Sequence, residues 1–119
     1  MKKILTILIV LALGMVPLAA LAGEGPLSLP KGANADANMH NEAGITSWNN
    51  GDPKGALGHF KEASAIDSSL GEVHFNEAVA LDKIGKHGEA TMHFKAALKR
   101  AGGNKKILDS SILHGHINR

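Results

Sequence analysis

The chain has 119 residues, room for one small domain, with 13 Lys and Arg, 11 Asp and Glu, and no cysteine. Its first 22 residues hold 17 of the 52 apolar residues and, through Lys2 and Lys3, the entire formal charge of +2. The other 97 residues are charge-balanced, which argues against a nucleic-acid binder held by phosphate contacts, and the lack of cysteine excludes disulfides, thiolate metal sites and thiol catalysis.

In chain order, the first element is an address. Lys2-Lys3 is followed by an apolar run from Ile4 to Leu18, and Ala20-Leu21-Ala22 offers the small-x-small pattern of a signal-peptidase site. Cleavage is expected after Ala22, giving a periplasmic or secreted protein with no membrane association after processing. The alternative is an uncleaved anchor, since the apolar stretch is just long enough to span a bilayer. Residues 23–36 are punctuated by Pro26 and Pro30 and show no apolar periodicity, so they read as a flexible tail that could serve as a short docking peptide.

Sliding residues 37–70 over 71–104 pairs His40 with His74, Gly51 with Gly85, Ala56 with Ala90, His59-Phe60-Lys61 with His93-Phe94-Lys95, and Ala63 with Ala97. Gly44 falls on Ala78 and Ile45 on Val79. The pattern predicts two helix pairs, with first helices over 37–50 and 71–84 and second helices over 53–67 and 88–101. Gly51 and Gly85 end the first helices, because glycine takes positive φ without strain. Asp52 caps the next helix with Pro53 at its first position, and Ser69-x-x-Glu72 matches a capping box for the third. Each second helix carries Ala-x-x-x-Phe-x-x-Ala, whose spacings of four and three put Phe60 or Phe94 and its flanking alanines on one face. Gly102-Gly103 ends the fourth helix and Asn104 can cap a fifth, whose Ile107, Leu108, Ile112 and Leu113 would close the end of the array over 105–119.

The 34-residue period, with Gly44/Ala78, Gly51/Gly85, Ala56/Ala90, Phe60/Phe94 and Ala63/Ala97 in its small, turn and aromatic slots, resembles the tetratricopeptide repeat (TPR) family. The resemblance covers 37–104. His40 and His74, Ser47 and Leu81, and Ser68 and Gly102 depart from the family's usual large, aromatic and proline residues. It implies an all-α helix-turn-helix solenoid of two repeats, 37–70 and 71–104, plus a capping helix. It also implies a concave groove, lined by the first helices, that takes a peptide or helix from a protein partner. Facing residues would be Asn38, Asn41, Ile45, Trp48 and Asn49 from the first repeat and Glu72, Phe75, Val79, Asp82 and Lys83 from the second. The alternative is that Trp48 and Phe75 are covered from within, by the N-terminal tail or the C-terminal helix.

Seven histidines stand out: His40, His59, His74, His87, His93, His114 and His116. No pair lies at i, i+4 and there is no HExxH motif, so no metal ligand set is assigned. The weak candidates are the equivalent pair His59 and His93 and the nearby pair His114 and His116. Otherwise the histidines are copied with the repeat onto a solvated face. No cofactor is expected. No enzyme is expected either: the serines lack a nucleophile-elbow context, the carboxylates are spread along amphipathic helices, and Gly102-Gly103 does not fit a phosphate loop. The expected role is that of an exported adaptor or assembly factor acting through protein contacts. The competing readings are a periplasmic metal-binding or metal-buffering protein and a self-assembling structural subunit that forms a homo-oligomer.

Overall fold

A computed structural model of the protein describes residues 24–118. The expected signal segment and its cleavage site lie outside the described residues. The fold is all-α. Four longer helices, α1 (Ala35–Asn49), α2 (Pro53–Ile66), α3 (Gly71–Lys83) and α4 (His87–Lys99), precede two short ones, α5 (Lys105–Leu108) and α6 (Ser111–Ile117). No helix among the described residues is long and apolar enough to cross a membrane.

The turns come from the residues that forbid anything else. Gly51 and Gly85 sit at φ of 79° and 89°, where a Cβ would be strained, and each reverses the chain within three residues. Asp52 accepts the Gly55 N–H at 2.9 Å and Pro53 opens α2, as expected of a cap followed by a residue that needs no donor. The resulting hairpins, α1 with α2 and α3 with α4, pack in sequence through α2 against α3, and α6 closes on α4.

The long helices keep within two residues of the expected bounds, α4 ending at Lys99 where 101 was expected, and three departures at helix ends have a local cause. α1 begins two residues early because the Asn34 side chain accepts the N–H groups of Asp36 and Ala37, satisfying two donors the helix leaves unpaired. The expected capping box at α3 does not form. Ser69 instead turns back on Asp67, giving both its N–H (3.0 Å) and its hydroxyl (2.6 Å) to one carboxylate oxygen, while Glu72 accepts from Asn104 at 2.7 Å. An ionised acceptor two residues away captures the serine first, and the Gly71 N–H bonds across to the Arg100 carbonyl at 3.1 Å. The single capping helix expected over 105–119 is two helices. Asn104 caps α5 as anticipated, but Ser110 starts a new helix by accepting the Leu113 N–H.

The core runs along the array. Phe60, Phe75, Phe94, Leu81, Ile107 and Leu113 are its largest fully buried side chains, and Phe75 meets Phe94 edge-on at 5.7 Å between centroids. The eight small and aromatic positions expected to pack the pairs, Gly44, Ala56, Phe60, Ala63, Ala78, Ala90, Phe94 and Ala97, are all buried. Gly44 has no room for more, since a Cβ there would clash with the edge of the Phe60 ring.

Candidate peptide groove and histidine clusters

Residues 24–34, expected as a flexible tail, lie packed against the helices outside any helix or strand. The prolines do prevent regular structure, but backbone pairing and leucine burial hold the segment down. α1 presents Asn41 and α3 presents Asn76, both fully buried. The Asn76 Oδ1 accepts the Leu27 N–H at 2.7 Å, and its Nδ2 donates to the Leu27 carbonyl at 2.8 Å and to the Asn41 Oδ1 at 2.7 Å. The Asn41 Nδ2 donates to the same Leu27 carbonyl at 3.0 Å. One residue of the tail is thus read on both its backbone donor and its backbone acceptor, which leaves no amide atom of Asn76 unpartnered.

The leucines add apolar contact. Leu27 packs on the main core, and Leu29 is buried with Ala37, Ala63 and Val73 under Leu70 and Ala33. Ser28 between them is exposed, the alternation an extended chain produces. Upstream, Gly25 lies beside the Trp48 indole, close enough that a Cβ would stand 3.5 Å from its Nε1. The Glu24 carboxylate accepts the Ile112 N–H in the first turn of α6 at 2.8 Å. Glu24, Gly25 and Leu27 also border a shallow cleft that Phe75, Lys105, Lys106 and Asp109 complete.

The predicted groove residues therefore divide. Asn41, Phe75 and Val79 are buried beneath or beside the segment, and Ile45 and Trp48 are half-buried against the same core. Asn38, Asn49 and Lys83 are exposed, and Glu72 is buried in its bond with Asn104. Asp82 is engaged elsewhere, with histidines. Sequence reasoning missed Asn76. The available signal was an amide at a core-facing position of α3, beside an N-terminal Leu-x-Leu that has no helical period to belong to.

The histidines meet across helices within each pair, rather than along successive second helices. His40 stacks on His59 with Glu62 beside them, and the His40 Nδ1 lies 2.7 Å from Glu62. His74 stacks on His93, with 3.3 Å between their Nδ1 atoms, and His93 reaches the buried Glu77, which also accepts from the Ser64 hydroxyl. His59 and His93, offered as a pair because their positions are equivalent, thus belong to different clusters. His114 and His116 separate as well: the His114 Nε2 bonds the Leu108 carbonyl, while His116 joins His87 around Asp82. A helix sends residues i and i+2 to different faces, which parts this last pair. For Asp82, burial alone would raise the carboxyl pKa. Hydrogen bonds from His87 and His116, with their charge, outweigh it and hold the group below its ordinary value.

Together these features define a class: an all-α protein of sequentially packed helix pairs whose first helices hold an extended segment of the same chain. Compared with protein-family models, and separately with curated proteins, the chain matches none.

Proposed function

We propose that the protein is an exported TPR-type interaction module whose α1/α3 face binds an extended peptide of a partner protein, with its own residues 24–30 as the resident ligand. The observation that carries this reading is the Asn41–Asn76 pair. A buried amide that bonds both the N–H and the carbonyl of one residue recognises extended backbone, while the neighbouring sites for Leu27 and Leu29 select apolar side chains two residues apart. A helix in the same place would have its backbone groups already paired, so this geometry favours a strand-like ligand over a helical one. The leader expected over 1–22 supports a role outside the cytoplasm, as a periplasmic adaptor or assembly factor with no chemistry of its own.

The resident segment lowers apparent affinity for any competitor by its own effective concentration, so partner binding proceeds by exchange. The test is a chain carrying Leu27→Asp and Leu29→Asp, which disfavour the resident segment, titrated with a labelled peptide spanning 24–31. Saturable anisotropy change that is lost on adding Asn76→Ala supports the reading. No binding, or binding indifferent to Asn76, refutes it. A doubling of mass in light scattering of the parent chain would instead show the segment exchanged between copies, and would favour the self-assembling subunit.

A further inference from the structure

The groove makes no use of the cluster at the other end of α3. Asp82 lies in the last turns of α3, His87 opens α4, and His116 belongs to α6. One ligand atom from each lies within 4.8 Å of the other two, and the Asp82 Oδ1 is 2.7 Å from the His87 Nδ1 and 2.6 Å from the His116 Nε2. We propose that Asp82, His87 and His116 bind one divalent transition-metal ion of the Zn²⁺ type, tying α6 to the second helix pair.

Hydrogen-bond accounting points this way. Thr91 gives its only hydroxyl proton to the His87 carbonyl at 3.0 Å, so its oxygen can only accept from the His116 Nδ1 at 2.9 Å. That assigns the ring proton to Nδ1. A neutral His116 then aims the Nε2 lone pair at a carboxylate oxygen 2.6 Å away. Two acceptors in contact require a cation between them, either a second proton or a metal ion. A metal site needs the same arrangement: an imidazole whose far nitrogen is fixed by a hydrogen bond and whose near nitrogen is bare.

Position and freedom fit as well. The His116 side chain is 3% exposed and its ring packs on Phe94 at 4.9 Å, so its orientation is set by the core. The His87 side chain is 56% exposed and can move. Bonds of about 2.0–2.1 Å in a tetrahedral shell separate ligand atoms by roughly 3.4 Å, so the donors must open by about 0.7 Å, which the mobile His87 and the Asp82 carboxylate can supply. Two nitrogens and one oxygen suit a borderline ion better than Ca²⁺ or Mg²⁺, and water completes the shell. The His40, His59 and Glu62 cluster is looser, since its carboxylate side chain is 59% exposed.

The test is calorimetric titration of the full chain, purified without a histidine tag, with ZnCl2 at neutral pH, alongside melting curves with and without the ion. Expected are one ion per chain at micromolar affinity or tighter, a raised melting temperature, and affinity lost about tenfold or more in both His87→Gln and Asp82→Asn. His87→Gln changes an exposed side chain, so retained helix content in circular dichroism separates loss of the site from loss of the fold. Binding weaker than millimolar in the parent, unchanged affinity in His87→Gln, or loss in His40→Gln in its place would overturn the assignment.

Discussion

Asn76 is a residue whose burial only makes sense with the segment it holds. With that segment removed, its amide would face an apolar wall with two hydrogen bonds unmade. Asn76→Ala should therefore release residues 24–34 and lower stability by about 1–3 kcal/mol, the net loss of its two hydrogen bonds to Leu27. Asn76→Asp is the sharper probe. It keeps an acceptor for that N–H but aims a second oxygen at the Leu27 carbonyl and the Asn41 Oδ1. Faster amide exchange or proteolysis confined to the segment in both variants would confirm the clasp; an unchanged pattern would remove it. Asp82 gives a second residue-scale prediction. Its folded pKa lies below the ordinary 3.8, so its contribution to stability is present above that value and is lost as pH falls through the lower, folded pKa. Acid titration of unfolding should show this loss below about pH 4, and Asp82→Asn should flatten it.

At the scale of elements, Gly44 sets how closely α1 approaches α2. A methyl group there meets the Phe60 ring, which is itself fully buried and cannot swing aside. Gly44→Ala should cost about 1–3 kcal/mol by overpacking, despite the alanine's better helix propensity, and urea denaturation reads this directly. The helices were legible because their signals are local: Gly51 and Gly85, Asp52-Pro53, and the Phe60 and Phe94 faces each act within a turn or two. Ser69 shows where such signals fail, because two acceptors competed for it and the nearer carboxylate won. The groove was half legible. Asn41, Ile45, Trp48, Phe75 and Val79 lie on the expected helices, and cover by the N-terminal tail was one of the two alternatives the sequence left open, but that proline-broken stretch has no period from which to read where it lies. The histidine clusters were illegible for a related reason. His87 and His116 are 29 positions apart in the chain, and only the folding of α6 onto α4 brings them to one carboxylate.

For the whole molecule, the described residues form helix pairs that each touch mainly their neighbours, and two features counter that linear plan. The short helices α5 and α6 bury Ile107 and Leu113 at the exposed end of the second pair. The 24–34 segment then runs back across both first helices. The fold has one face covered by the 24–34 segment and one end closed by α5 and α6, and the proposed metal ion would sit at that closed end. Partner capture and metal binding are therefore expected to be separable by mutation: Leu27→Asp with Leu29→Asp acting on the first, His87→Gln on the second.

The bond from Ile112 to Glu24 spans 88 positions. Stacked arrays built only from neighbour contacts can fray from either terminus and gain order one unit at a time. Here the first described residue is fastened to the last helix, so the line is bent into a ring. Opening either end is expected to loosen the other, so that unfolding gains cooperativity over a purely linear stack. The same closure raises the mean loop length that folding must bridge, which slows the final step. It also means that a chain emerging from a ribosome or a translocon amino end first cannot latch until nearly its whole length is through.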